Sequence, residues 1–422
     1  MMDKAGRGEF TRGWRVLLAA LLGTMCGASP LPYNTIGSFL QPLGQEFGWN
    51  AGAIMTAVMC FGLSGCLCAP VVGALADRYG ARVVGLLSLV AFAVVFAALG
   101  LTGSLAMFYA GYLLIGVVGI GSTPITWSRA VNLWFVRRRG MALGIMLTGT
   151  GLAAFFLPTT AVFLIQHWGW RWAYAALALL PVVVALPVVW SFMREPAAGQ
   201  VPALAGGGAS IDRTGVTLVE AMRDRRFWIM MLAFLVISIA YGGFHTNLQN
   251  MARLKGLSRE TGALIAGCVG LAIIVGRVGA GMLVDRIWAP VAAFPLLAMP
   301  ALGCVIFISD TTSTGLIVLA AILLGGAAGA EADMISYLAG RYFGMAFYGR
   351  IYGMLYAAFG CGAAISAPIY GYVFSATGSY VPILAAAAVM FLGGAALLLL
   401  LGPYPVSLPA IRPAQPVPVH GS

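Results

Sequence analysis

Charged residues are scarce in this chain of 422 residues. Asp, Glu, Lys and Arg make up 9% of the sequence and hydrophobic residues 61%, whereas a soluble globular protein has about 25% charged residues. This composition excludes a soluble globular fold and indicates that lipid is the main solvent. The apolar runs are about 20 residues or longer, as a helix needs to cross roughly 30 Å of hydrocarbon. The short alternating segments typical of a membrane β-barrel are lacking.

Histidine is rare as well, and the three histidines form no cluster with the seven cysteines. Cys66 and Cys68 do not have CxxC spacing, so we interpret the cysteines as small apolar packing residues. The sequence contains no nucleophile–base set and no phosphate-binding loop, and its soluble segments are too short for a catalytic or signalling domain. We therefore predict neither an enzyme nor a sensor, and no metal or cofactor.

Basic residues nevertheless outnumber acidic ones, and the net charge is +11. In a soluble protein such a charge would suggest a nucleic-acid partner. Here the basic residues lie in short loops between apolar runs and form no single stripe. We expect the bilayer as partner and no nucleic acid.

The apolar runs predict twelve transmembrane helices. They cover residues 13–40, 50–75, 82–101, 105–135, 140–165, 171–193, 226–252, 260–284, 291–309, 314–342, 347–375 and 379–402. One long polar connection separates the first six from the last six, and the end of the chain is rich in proline. The predicted organisation is a six-helix bundle at 1–193, a cytoplasmic linker at 194–225, a second bundle at 226–402 and a disordered cytoplasmic tail at 403–422.

Lysine and arginine are distributed unevenly between the two sides of these spans. With the N-terminus inside, only Arg171, Arg253, Lys255 and Arg259 reach the outside, and all other loop and terminal Lys and Arg lie inside. Positive residues mark the cytoplasmic side, so both termini are predicted to be cytoplasmic. We expect a multi-pass protein of a bacterial inner membrane.

A short charged loop occurs twice, 208 positions apart. Each copy follows an apolar run and precedes the next one, and the two read Gly73-Ala-Leu-Ala-Asp77-Arg78-Tyr-Gly80-Ala-Arg82 and Gly281-Met-Leu-Val-Asp285-Arg286. Six-helix halves repeated in parallel build a central substrate site in secondary transporters. The repeat therefore indicates a duplicated transporter.

These residues resemble the major facilitator superfamily over almost the whole chain. The loop 73–82 is close to that family's G-x-x-x-D-R-x-G-R-R signature, and the second copy is a degenerate form of it. The resemblance implies an all-α membrane protein with two pseudo-symmetric six-helix bundles that works by alternating access. We expect it to act as a monomer.

The resemblance extends to one branch of the superfamily, the monocarboxylate porters and oxalate:formate antiporters. The segment from Trp134 to Gly149 is similar to the monocarboxylate porter signature Y-F-x-K/R-R-R-x-L-A-x-G-x-A-x-A-G. Arg277 matches the span-8 arginine of these carriers. Span 11 of oxalate exchangers carries a lysine where this chain has Phe359. The resemblance implies a small organic acid as substrate.

Three charged residues lie well inside predicted spans. A charge at the bilayer centre costs about 2.5–3.5 kcal/mol on insertion scales, so it is kept with a partner or for a purpose. Arg277 is predicted to bind a substrate carboxylate, which suits a planar guanidinium. The alternative is a structural salt bridge from Arg277 to Glu331 or Asp333. Since these two acids are two residues apart, they cannot share one helix face.

A buried carboxylate without a partner can carry a proton at neutral pH. Glu331 and Asp333 are therefore candidates for proton coupling, and a purely structural network is the alternative. His245, in the outer half of span 7, could relay a proton or bind a carboxylate, or it could be structural.

Further candidates for the substrate pocket are polar and aromatic. Tyr33 and Asn34 follow two prolines in span 1, and such helix breaks usually line a cavity. Tyr356 and Phe359 lie in span 11. Packing against lipid or core is the alternative for each aromatic residue.

The repeated loops have a mechanical interpretation as a gate. Asp77 can cap a neighbouring helix N-terminus, where the dipole favours an anion, while Arg78 and Arg82 can bind carboxylates or helix ends across the cytoplasmic face. Such contacts would stabilise the outward-open state and break when the halves rock. The alternative is that these residues only set topology.

These features together predict proton-coupled uptake of a small organic acid, plausibly a monocarboxylate, powered by a proton gradient. One buried Arg without a buried Lys favours a single carboxylate; the alternative is that Arg129, nearer the cytoplasmic end of span 4, supplies a second charge. Exchange of organic anions is the first alternative. Efflux of a non-carboxylate compound is the second, although span 5 lacks the G-P-x-x-G-G pattern of drug antiporters.

Overall fold

The computed structural model describes residues 4–196, 214–257 and 259–405. Within these ranges the chain is almost entirely helical, and its extended pairing is limited to an isolated bridge between Gly215 and Gly344. The helices are α1 Lys4–Met25, α2 Pro30–Phe47, α3 Ala51–Ala98, α4 Leu105–Val118, α5 Pro124–Trp134, α6 Arg139–Leu180, α7 Leu186–Phe192, α8 Leu218–Arg223, α9 Arg225–Leu254, α10 Arg259–Val284, α11 Ala289–Ile308, α12 Thr314–Tyr342, α13 Tyr348–Thr377 and α14 Val381–Leu399.

Eight stretches of the described helices are long and apolar enough to cross a membrane, so this is a multi-pass membrane protein. Two of the longest helices contain a break at a glycine with positive φ, Gly80 in α3 (81°) and Gly169 in α6 (77°). L-residues rarely adopt this conformation, and each break turns the chain between two predicted spans. Helices α4 and α5 together form one bent span, and α10 supplies the shorter apolar helix Cys268–Val284. These breaks accommodate the twelve predicted spans.

The first predicted span is interrupted. Helix α1 ends at Met25 and α2 begins at Pro30, where a missing N–H costs nothing and the fixed φ suits a helix start. The Ala28 N–H between them donates to the Ser122 hydroxyl at 3.0 Å. A distant side chain thus satisfies a backbone donor that the helix break leaves open.

The structure describes the predicted linker and the predicted tail only in part. Residues 197–213 of the predicted linker and 406–422 of the predicted tail lie outside the described ranges, so these boundaries stay a prediction. The linker ends in the short helix α8, which begins with a capping box between Thr217 and Glu220. After α14, the carbonyls of Leu401 and Pro403 accept hydrogen bonds from Arg226 at 3.0 and 3.2 Å.

Candidate functional site

Arg277 of α10 and Asp333 of α12 form a buried ion pair. Arg277 Nη1 lies 3.1 Å from Asp333 Oδ1, and the two residues are 8% and 4% exposed. The salt bridge expected as the structural alternative is therefore present, with Asp333 as the partner of Arg277. The pair is incompletely satisfied, because Arg277 Nε and Asp333 Oδ2 find no hydrogen-bond partner among the described residues.

Glu331 lies in the same helix as Asp333 but outside this ion pair. It is 2% exposed, and its Oε1 atom accepts no hydrogen bond from any part of the chain that the structure describes. Tyr241 of α9 is close enough to interact electrostatically with both Glu331 and Arg277. The two acids thus diverge as their spacing predicts: Asp333 meets α10, and Glu331 points toward α9.

Tyrosines from three helices surround the ion pair. Tyr241 of α9 and Tyr356 of α13 each interact electrostatically with Arg277 and with Tyr33 of α2. Tyr33 is nevertheless 60% exposed, so its ring borders an open space between these helices. The side chain of His245 is also exposed, and its ring stacks on Tyr241 with centroids 5.5 Å apart.

The other predicted pocket residues divide into two groups. Phe359 is half-buried and packs against Tyr356, with ring centroids 5.7 Å apart, which brings both to the α13 side of the site. The Asn34 amide instead donates to the Pro30 carbonyl at 2.7 Å. It satisfies an acceptor of its own helix, as polar side chains near a helix start often do.

Sequence reasoning missed Tyr241 and Ser29. Ser29 lies close enough to the Tyr356 hydroxyl to interact with it. Tyr241 precedes His245 by one helical turn, and this i, i+4 spacing could have placed it on the same face. Ser29 lies in the break between α1 and α2, where spacing carries no such signal.

The two repeated aspartates both cap helices from the opposite half of the chain. Asp77 accepts hydrogen bonds from Gly349 N (2.8 Å) and Arg350 N (3.0 Å) at the start of α13. Asp285 accepts from Gly140 N and Met141 N at the start of α6, at the same two distances. An anion is stabilised at a helix N-terminus. The predicted cap is thus present in both copies.

We refer to the side of the molecule that carries Asp77 and Asp285 as the aspartate-loop face; the sequence predicts that it is cytoplasmic. Burial raises the pKa of Asp285 to about 6, while its two backbone donors and Arg138 lower it. The group is therefore ionised at neutral pH, when it accepts both hydrogen bonds. These interactions hold the two halves together at this face.

The arginines of the first loop differ in their contacts. Arg82 donates to the Trp190 carbonyl at 2.7 Å, and Arg78 lies over the Tyr79 ring at 5.2 Å from its centroid. Arg82 thus binds the C-terminal end of α7, a helix-end contact of the predicted kind, and both contacts stay within the N-terminal half. Arg129, 3.3 Å from Asp77, is the arginine beside the cap; it is deeper in α5 and can approach a buried carboxylate. Arg286 is exposed.

Glycines allow the halves to touch at the same face. A Cβ atom at Gly281 would lie 2.3 Å from the Gly140 carbonyl oxygen, and one at Gly73 would lie 1.9 Å from the Gly349 oxygen. Real Cβ contacts are never this short, and the opposing atoms are backbone. The closed face therefore requires glycine at these positions.

We expect Gly281→Ala to open the aspartate-loop face, because the added methyl group cannot coexist with the Gly140 backbone. Spin labels are placed at positions 79 and 287, which are both exposed. In double electron–electron resonance, the distance between the two labels should be longer in the major population of Gly281→Ala than in the protein without this substitution. Gly279→Ala is the matched control, since a Cβ there meets nothing within 4 Å. An unchanged distance in Gly281→Ala would contradict the gate.

A family model described as the Major Facilitator Superfamily matches residues 16–353. The chain belongs to this superfamily. It is therefore a transporter and not an enzyme, and it moves a small molecule across a membrane.

Relatives with similar sequences match different shares of this superfamily member. Monocarboxylate transporter 13 of Bos taurus is 25% identical over 407 residues, which cover 92% of this chain and 89% of the relative. The Fujikurins efflux protein of Gibberella fujikuroi is 31% identical over 209 residues, 46% of this chain and 41% of that protein. The first relative thus matches almost throughout, and the second only in part.

Solved structures confirm the fold of this superfamily member. The human organic anion transporter MFSD10 superposes with a TM-score of 0.68 at 18% identity, covering 94% of this chain and all of that one. The Escherichia coli fucose:proton symporter superposes with a TM-score of 0.68 at 17% identity. At such identities the likeness extends to the fold alone.

Proposed function

We propose that this transporter takes up a small organic acid with a single carboxylate, together with a proton. The observation that carries the proposal is the buried Arg277 with its incompletely satisfied partner Asp333. A guanidinium has five donors in a fixed fork, and one ion-pair contact leaves donors for a second carboxylate. The names of the relatives add support, since a monocarboxylate transporter matches over most of the chain.

The substrate carboxylate binds Arg277 from the open space beside Tyr33. Tyrosine hydroxyls can donate to the second carboxylate oxygen, and Tyr241 and Tyr356 are the tyrosines beside Arg277. The remainder of a small acid then lies against the rings of Tyr356 and Phe359. No second arginine or lysine is present among the buried described residues near this position, which favours a monocarboxylate over a dicarboxylate.

Glu331 carries the proton in this proposal. A buried carboxylate oxygen without a hydrogen-bond donor favours the neutral form of the group, and Glu331 Oε1 finds no donor among the described residues. Substrate that binds Arg277 competes with Asp333, so binding adds a negative charge to a site where one cation already faces one anion. An ionised Glu331 would add a second negative charge, so the substrate anion binds when Glu331 holds its proton, and this requirement couples the two movements.

Transport follows alternating access between the two halves. In the structure the aspartate-loop face is closed by the caps of Asp77 and Asp285. After substrate and proton have bound, loss of these caps at the aspartate-loop face would open the site to the predicted cytoplasm. The prediction of both termini in the cytoplasm of a bacterial cell belongs to this proposal.

Proteoliposomes with internal pyranine test this function. Adding a monocarboxylate outside should acidify the interior faster than in protein-free vesicles, which control for diffusion of the neutral acid. Dicarboxylates should give little signal. If acidification matches the protein-free rate for every acid, symport is wrong. If radiolabelled uptake then requires an internal anion, the protein is an exchanger instead.

Efflux is the second candidate function, favoured by the partial match to the Fujikurins efflux protein. An efflux pump in the same vesicles would release a preloaded non-carboxylate compound when the outside is acidified. The rate of efflux would not depend on Arg277, whereas uptake of a carboxylate would. Replacing Arg277 therefore separates the two candidates in one preparation.

A further inference from the structure

The aspartate-loop face contains two pockets that correspond by the 208-position repeat. The N-terminal pocket is lined by Asp77, Arg78, Arg129 and Glu195. The C-terminal pocket has a volume of about 530 Å³, and the residues of its lining that matter here are Asp285, Arg286, Tyr337, Arg341 and Tyr404. Asp77 and Asp285 are equivalent, as are Arg78 and Arg286.

The N-terminal pocket is filled by a carboxylate from the start of the linker. Glu195 Oε1 accepts from Arg129 Nη1 at 2.9 Å and from Ala81 N at 3.3 Å. Glu195 thus supplies a negative charge to the arginine and caps the helix segment that starts after Gly80.

The C-terminal pocket has the same backbone donor, but among the described residues no carboxylate takes the place of Glu195; its Asp285, the equivalent of Asp77, instead accepts from Gly140 N and Met141 N. Ala289, 208 positions after Ala81, donates its N–H at 3.0 Å to the hydroxyl of Tyr404. Tyr404 therefore occupies the place of Glu195 with a neutral group. The pocket keeps two arginines, Arg286 and Arg341, and among the described residues neither has a carboxylate within 4 Å.

Arg341 is held in place by neutral rings. Its Cζ atom lies 4.5 Å from the centroid of the Tyr404 ring and 6.0 Å from that of Tyr337. Its Nε atom is buried and finds no acceptor within the described ranges. A positioned guanidinium with an unused donor, in an open pocket, is suited to bind an anion.

We propose that this pocket binds the phosphate of an anionic phospholipid headgroup, which takes the place that Glu195 occupies in the other half. The pocket lies where α11 begins and α14 ends. The apolar side chains of Val291, near the start of α11, and Leu400, just after α14, are 48% and 59% exposed, so acyl chains can continue from the phosphate along this apolar surface. Basic pockets between helices on the cytoplasmic side are suited to anionic lipid headgroups. The site is independent of the proposed substrate.

Native mass spectrometry of the full-length protein in detergent tests the site. Titration with phosphatidylglycerol should give a bound lipid that phosphatidylcholine does not displace, and Arg341→Gln should weaken its binding about tenfold. Arg225→Gln, which removes an exposed arginine of the same face outside the pocket, should leave binding unchanged. Equal binding in wild type and Arg341→Gln would overturn the proposal.

A competition experiment and a second variant test the assignment further. If inorganic phosphate binds as well as phosphatidylglycerol and displaces it, the anion site stands but its assignment to a lipid is overturned. Tyr404→Glu restores the carboxylate of the N-terminal half, so it should abolish lipid binding without lowering the melting temperature. Lipid binding retained in Tyr404→Glu would contradict the equivalence of the two pockets, even if Arg341→Gln does not fold.

Discussion

Replacing Arg277 with alanine is expected to reduce carboxylate uptake about ten- to a hundredfold. A hydrogen bond to a charged group contributes about 1.5–3 kcal/mol, and about 2.7 kcal/mol corresponds to a factor of one hundred. The substrate would lose the cation of its site, because the two other buried arginines of the described residues have partners elsewhere: Arg129 is beside Asp77 and Glu195, and Arg139 donates to the carbonyls of Phe135 and Asn132. The measurement is initial uptake of a radiolabelled monocarboxylate into proteoliposomes. Arg277→Lys, which keeps the charge but loses the fork, should retain part of the activity.

The ion pair with Asp333 makes a control necessary. Removing one partner of a buried pair leaves the other charge uncompensated, which costs about 3–5 kcal/mol and could inactivate the protein through misfolding. The double variant Arg277→Gln with Asp333→Asn removes both charges, and we expect a melting temperature close to wild type. It should remain inactive if Arg277 binds substrate. Uptake restored in the double variant would show that Arg277 only neutralises Asp333.

The sequence was sufficient to predict the elements that depend on local pattern. The loops around Asp77 and Asp285 were recognisable because they repeat at a fixed separation, and their capping geometry follows from the position of an anion before a helix. The spacing of Glu331 and Asp333 likewise predicted that the two acids would not share one helix face. Helical periodicity determines such faces before any tertiary contact is known.

Other features depend on contacts between distant segments and could not be predicted. Which acid meets Arg277 depends on how α10 and α12 are rotated against each other, and two acids on opposite faces give no preference. The contact of Arg82 with the Trp190 carbonyl and the pairing of Glu195 with Arg129 require the end of the first bundle to fold back beside its second loop. Polar residues of a linker carry no sequence signal for such contacts.

Charge pairing and close packing lie one helical turn apart in α10. Arg277 is in the same helix, α10, as Gly281, which touches Gly140 at the aspartate-loop face. A shift of α10 when substrate displaces Asp333 would therefore act directly on the closed face. Packed interfaces of this kind are bistable and not continuously deformable, so a small movement at Arg277 can decide whether the caps at α6 and α13 hold.

Glu331→Gln is expected to abolish proton-driven accumulation while leaving substrate binding intact. Glutamine has the shape of a neutral glutamate, so the buried site keeps its packing and gains no charge, but it cannot release a proton. With an inward proton gradient, wild-type vesicles should concentrate the acid, and the variant should do no more than equilibrate it. A tenfold gradient of proton concentration corresponds to about 1.4 kcal/mol for each proton transported, so the expected loss is about tenfold in accumulation per pH unit.

The control for this variant is Glu46→Gln, which removes a carboxylate from the surface ion pair with Arg171 at 2.6 Å. Exposed pairs contribute little, so accumulation in this variant should equal that of wild type. Substrate protection against thermal unfolding should also persist in Glu331→Gln, because Arg277 is unchanged. Accumulation by Glu331→Gln at the wild-type level would show that the proton travels by another group. Asp333 would then be the next acid to test, since its second oxygen is also buried without a donor.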